Sequence, residues 1–155
     1  TFARVGAGPD PASFPVARID WCDARAYCGW AGKRMCGKQV ANDASTGEWF
    51  TACTNGGATK FPYGNDYDAS ACNDNASVAT RAVGTASCQG GVKGLFDMNG
   101  NVTELVDNCT AAGCSGMGGY FFAPTLPTTG CATVTDYPKT DNNPGIGFRC
   151  CADPR

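Results

Sequence analysis

The sequence predicts an α+β fold of two short helices, small strands and many loops, held together by disulfides. Three observations carry that expectation. Eleven cysteines are dispersed over 155 residues. Helical periodicity is confined to residues 20–57, and the rest alternates brief apolar pieces with Gly, Pro, Asn and Asp turns.

The length suits one domain with a core of its own, and residues 1–155 are read as that domain. A net charge of -2 leaves no basic stripe, so nucleic acid is not an expected partner. No apolar run approaches the roughly 18 residues of a membrane span. The chain has no histidine, which excludes His-based triads and His-ligated metal sites. The cysteines are not grouped in CxxC knuckles, and so many thiols fit an oxidising compartment, secreted or at the cell surface.

Pro9, Pro11 and Pro15 forbid a helix interior near the start and bias their neighbours to extended backbone, with a short strand expected over Pro15–Ile19. Asp20 is a natural N-cap. Trp21, Ala24, Tyr27, Cys28 and Ala31 then form a helical stripe that Gly32 closes. A second, shorter helix is signalled by Ser45 and Glu48 at capping-box spacing, by Trp49, Ala52 and Cys53, and by the stop Asn55-Gly56-Gly57. Beyond it, turns such as PYGNDYD and CQGG separate small strands expected at LFDM, VTELV, GYFF and GIGFRCC. Trp21, Trp30 and Trp49 sit at core spacing and are read as packing residues rather than sugar-stacking platforms. Tyr120, Phe121 and Phe122 open an apolar, proline-broken stretch that is either a plug or, as favoured here, an exposed contact surface.

Four segments in order resemble the formylglycine-generating enzyme (sulfatase-modifying factor) superfamily: PVARIDWCDARAYCGWAGKRM (15–35), TGEWFTACTNGG with FPYGND (46–66), GLFDMNGNVTELV (94–106) and GFRCC (147–151). The resemblance implies a variant of the C-type lectin fold. The family's first strand precedes the PV segment, so the chain is expected to be truncated on its N-terminal side relative to the family. In the copper-dependent enzymes a double glycine is followed by two active-site cysteines that hold Cu(I). Gly118-Gly119 matches the pair, yet Ala123 and the neighbourhood of Thr128 stand where those cysteines fall, and Cys131 matches a structural cysteine. The related iron enzymes use histidines, which are lacking here, so no copper, iron or haem is expected.

The resemblance also implies the disulfides Cys28–Cys150 and Cys53–Cys131. Cys109–Cys114 and Cys72–Cys88 are paired on proximity alone. Of Cys22, Cys36 and Cys151, two are expected to pair and one to bond outside this segment or between subunits. The DMNGNVTE stretch resembles a family calcium site, implying Asp97, the carbonyls of Gly100 and Val102, and Glu104 as ligands of a structural calcium. Asn73 is the candidate for a second family site. Together these imply a non-catalytic, extracytoplasmic binding or assembly domain, with a protein partner or a homo-oligomer, either of which an odd cysteine could link covalently. The alternatives are a divergent formylglycine-generating-type oxidoreductase with an unpaired thiol as nucleophile, and a carbohydrate-binding lectin-like module.

Overall fold

A computed structural model describes residues 11–37, 47–74, 77–84, 87–122 and 130–153. Helix α1 spans Trp21–Trp30; the carboxylate of the extended Asp20 accepts the Asp23 amide at 2.9 Å and satisfies one orphan donor of the first turn. Trp21, Ala24 and Cys28 form its buried stripe. The helix stops where Gly32 takes a left-handed φ of 69° and Lys33 donates back to the Cys28 carbonyl at 2.8 Å. Trp30 is not in the core: nine residues after Trp21, it lies about half a turn round the helix from the stripe, and it is 81% exposed. Tyr27 is also partly out, at 39%.

Helix α2 spans Glu48–Cys53 and has Gly47 at its N-cap with no side-chain cap. Ser45, expected to cap it, lies outside the described residues. Glu48 turns instead to Arg34, whose two terminal nitrogens reach its two oxygens at 2.6 Å each, while the Gly37 amide donates to it at 2.5 Å. Asp153 meets the same guanidinium at 2.7 Å.

The strands are β1 (Arg34–Met35), β2 (Thr103–Cys109), β3 (Cys114–Met117), β4 (Val134–Tyr137), β5 (Ile146–Phe148) and β6 (Cys150–Cys151). One sheet has the order β4-β3-β2-β5, with β2 antiparallel to β3 and parallel to β5. A second sheet pairs β1 with β6. The alternation VTELV thus becomes the central strand, but three other expected strands do not form. Pro15–Ile19 is broken by Arg18, which has a φ of 57°, although Ala17 and Ile19 are buried. GYFF is turned out of extended backbone by Gly118 and Gly119 at φ 80° and 68°. LFDM keeps only a bridge between Gln89 and Phe96.

Two apolar clusters fill the interior. Ile19, Trp21, Ala24, Cys28, Met35, Leu105 and Ile146 pack between α1 and the sheet. Trp49, Cys53, Met98, Val106 and Met117 pack under α2. The indole of Trp21 donates to the Val106 carbonyl at 3.1 Å, so its polar edge is satisfied inside.

Five disulfides join these parts: Cys28–Cys150, Cys36–Cys151, Cys53–Cys131, Cys72–Cys88 and Cys109–Cys114. Successive residues of a strand face opposite ways, so Cys150 reaches α1 while Cys151 reaches the residue after β1. These two close loops of 122 and 115 residues, each worth at most about 4 to 5 kcal/mol in the chain-entropy account. Cys22, at the second position of α1, is free and exposed.

The Arg34–Glu48 pair gives a pH prediction. Arg34 holds the Glu48 carboxyl below the ordinary glutamate range, against an opposing effect of burial. Its contribution is therefore present above the usual value of about 4.3 and is lost as pH falls through the lower folded value. Both side chains are about two-fifths exposed (41% and 40%), which limits the pair to about 1 kcal/mol. Glu48→Gln should lower urea stability by up to that amount at neutral pH, and its difference from the parent should vanish in acid; a difference that persists at low pH would exclude the pair as its cause.

Candidate functional site

The segment 94–104 carries the site because its backbone is forced off regular structure. Asp97, Gly100 and Asn101 have φ of 57°, 76° and 59°. Asp97 is pinned by its amide, which donates to the Cys88 carbonyl at 2.8 Å, and by its Oδ2, which accepts the Gly84 amide at 2.6 Å. Gly100 donates to the Gly118 carbonyl at 2.8 Å and lies so close to Asn73 that a Cβ would sit 2.5 Å from the Asn73 carbonyl oxygen. Only glycine fits there. Asn101 ties in a third strand of chain: its side chain accepts the Arg81 amide at 2.9 Å and donates to the Arg81 carbonyl at 3.2 Å.

On one side of this loop lies a cavity of about 690 Å³, walled by Pro15, Val16, Tyr27, Val83, Phe96 and Phe148. Its floor carries Asp97, Glu104 and Arg149. Arg149 clamps Glu104 with Nε at 2.8 Å and Nη2 at 2.7 Å, and Nη2 also donates to the Phe96 carbonyl at 2.9 Å. The Trp49 indole adds a third donor to Glu104 at 2.7 Å. The Glu104 charge raises the Arg149 pKa further above its ordinary value, against the effect of burial. Asp97 has no such partner; burial chiefly, and then the nearby Glu104, push its carboxyl above the usual aspartate range, while the Gly84 amide and Arg149 pull the other way. Two carboxylates face one guanidinium, so one negative charge on the floor is left over.

The four residues expected to hold calcium divide between two surroundings. Asp97, Val102 and Glu104 line the cavity, whereas Gly100 packs against Asn73 and Asp74. Glu104 commits both oxygens to Arg149 and Trp49. On the Asn73 side the chemistry is different: the Asn73 and Asn99 side-chain oxygens are buried and accept no hydrogen bond among the described residues, while Asn99 Nδ2 donates to the fully buried Asp74 carboxylate at 2.5 Å. Tyr67 also donates to Asp74, and burial, followed by the Asp74 charge, pushes its phenol up to about 12. An orphaned buried acceptor costs on the order of 1 to 3 kcal/mol, which a cation would relieve. The sequence reading missed Asp74, Asn99 and Arg149. Asn99 and Arg149 stand in quoted motifs and Asp74 follows Asn73, but nothing in the sequence says which way these side chains point.

The stretch expected as a contact surface is mostly engaged. Phe121 donates its amide to the Asn101 carbonyl at 3.2 Å and accepts the Ser77 amide at 2.9 Å. The Tyr120 ring packs edge-on against Phe121, with centroids 5.7 Å apart. Only Phe122 of the three is exposed, at 49%. Ala123 and Thr128 lie outside the described residues. Cys131 is consumed by Cys53.

Residues 4–154 match the sulfatase-modifying factor enzyme 1-like domain. The chain belongs to this family. The inactive C-alpha-formylglycine-generating enzyme 2 of Bos taurus is 31% identical to the chain over 120 residues, covering 66% of the chain and 37% of that protein. The formylglycine-generating enzyme of Mus musculus is 37% identical over 68 residues, covering 40% of the chain and 16% of the enzyme. The matches thus span 37% of one curated relative and 16% of the other. Among solved structures, CarF superposes with a TM-score of 0.65 at 18% identity, covering 93% of the chain and 69% of CarF. PvdO from Pseudomonas aeruginosa does so with 0.65 at 20% identity, covering 86% and 60%. The fold is the formylglycine-generating enzyme variant of the C-type lectin fold, in the α+β class.

Glu104 is only 8% exposed in its side chain, so removing its partner leaves a buried charge. Arg149→Met should cost about 3 to 5 kcal/mol in denaturant unfolding. Adding Glu104→Gln should recover part of that loss, because a neutral amide oxygen still accepts from Trp49. A single-variant loss under about 1 kcal/mol would show that the clamp is not structural.

Proposed function

We propose that this chain is a non-catalytic, extracytoplasmic binding or assembly domain of its family, secreted or held at a cell surface. The observation that supports this reading most is the accounting of the cysteines. Ten of the eleven are joined in five disulfides, and the remaining thiol, Cys22, is exposed on α1 and does not line the cavity. A two-thiolate Cu(I) centre needs two free cysteines. The similarity to an inactive member of the family points the same way. Cys22 is then available to link a partner or a second copy covalently.

After anaerobic Cu(I) loading the protein should not oxidise a cysteine-containing peptide, and non-reducing peptide mapping should return five cross-links with Cys22 as the one alkylatable thiol. Turnover would refute the non-catalytic reading, and its loss in Cys22→Ser would assign it to the free thiol.

Calcium is the ion that the loop's donors suit. The orphaned oxygens of Asn73 and Asn99 are hard donors, and the left-handed Gly100 and Asn101 turn the chain through the same spot. Asn73, Asn99 and the carbonyls of the Gly100–Val102 turn would hold it, without Asp97, which lines the cavity. Bound there, calcium would tie residues 73 and 74 to the 97–104 loop. Chelation should lower the melting temperature, and Asn99→Leu should abolish that response; a melting temperature indifferent to chelator removes calcium from the account.

A further inference from the structure

The cavity beside the 97–104 loop is larger than an ion needs, and its walls differ in kind from its floor. Its volume of about 690 Å³ falls within the range of roughly 300 to 1,000 Å³ usual for organic ligands. The walls are apolar and include three aromatic rings, Tyr27, Phe96 and Phe148. Tyr27 meets Phe148 edge-on with centroids 5.5 Å apart, and Trp30 meets the outer side of Tyr27 at 5.6 Å. An aromatic surface therefore runs from the exposed Trp30 down into the cavity, which accounts for a tryptophan that the core does not use.

The floor sets the sign of the occupant. Glu104 is neutralised by Arg149, and the guanidinium is in turn held by Glu104 and the Phe96 carbonyl. Asp97 spends Oδ2 on the Gly84 amide, and its other oxygen accepts no hydrogen bond among the described residues. The leftover charge is thus negative, and it lines a cavity that also presents aromatic rings, whose faces favour cations.

We propose that the cavity binds an organic cation, an ammonium or guanidinium carried on an apolar body, with its charge at Asp97 and its body against Tyr27, Phe96 and Phe148. The class includes a basic side chain of a partner protein and a free alkyl or aryl-alkyl amine. An anion of the same shape would meet Asp97 unshielded, and a neutral analogue would leave that charge unpaired in a half-buried setting. The proposal does not depend on calcium, which is placed chiefly on the Asn73 side of the loop.

The test is calorimetric titration of the intact chain in chelator with phenethylamine, phenethyl alcohol and phenylacetate, three probes that differ only in the polar end. Phenethylamine should bind at least about tenfold more tightly than the alcohol, with phenylacetate weakest. Asp97→Asn should erase the preference for the amine while leaving alcohol binding within about twofold, since asparagine accepts a left-handed backbone and still offers an oxygen to Gly84. Val83 is 47% exposed at the rim, so Val83→Trp should close the mouth and weaken both without unfolding the chain. No heat with phenethylamine, equal affinity for amine and alcohol, or a preference that survives Asp97→Asn would each overturn the proposal. Because the titration is done without calcium, its failure and that of the calcium reading are separable.

Discussion

The ion pair between Glu104 and Arg149 is the contact on which the other parts converge. Glu104 sits on the central strand β2, and Arg149 occupies the single position between β5 and β6. Trp49 of α2 donates to the same carboxylate, and the guanidinium also holds the Phe96 carbonyl. One carboxylate thus fixes α2, the C-terminal strands and the approach to the 97–104 loop relative to the sheet. Such a cluster adds little net stability over an apolar replacement, since desolvation offsets much of the attraction. Its effect is on geometry: with three directional donors meeting at 2.7 to 2.8 Å, the elements have one way to fit together.

The disulfides act on a different quantity. The two described helices contribute sixteen residues, ten and six, and much of the remaining chain is loop whose backbone entropy little regular hydrogen bonding offsets. Cross-links remove part of that entropy from the unfolded state. Their placement is selective: Cys28, Cys36 and Cys53 lie on or just after helix or strand ends in the first third of the chain, and Cys131, Cys150 and Cys151 lie in the last quarter. The first part, which holds the helices, is thereby bound to the last part, which supplies sheet edges. The polar cluster sets orientation, and the covalent links hold the long loops to it.

How legible this was in the sequence depends on whether a signal is local. Helix α1 was readable to its cap because Asp20, the 21-24-28 stripe and Gly32 are all within one turn of what they specify. Strand β2 was readable from its apolar run. The expected strands at Pro15–Ile19 and GYFF were not formed, because Arg18, Gly118 and Gly119 adopt left-handed backbone, and for arginine nothing in the residue type signals that. Trp30 read as core since tryptophan usually is, but its place on the helix sets it opposite the buried stripe. For the site, the loop itself was found from its motif, whereas its division into two faces was not. That division depends on Arg149, forty-five positions from Glu104 in sequence, and on the packing of Gly100 against Asn73.

That division also involves the stretch that follows Gly118-Gly119. In the region after Gly118-Gly119, Cys131 serves as a staple to α2, and Phe121 is stitched by backbone bonds to Asn101 and Ser77. The chain there braces the back of the 97–104 loop. A rigid backing matters because Asp97, Gly100 and Asn101 hold left-handed conformations, two of them at non-glycine residues, that persist only when the surroundings over-determine them. Bonds to Gly118, Asn73, Cys88 and Arg81 supply that restraint from four separate stretches of chain. Asp97 and Asn101, held in this way, both line the cavity, and Asn101 also fastens residue 81 to the loop. The stretch after Gly118-Gly119 is thus part of what fixes the backbone of the 97–104 loop.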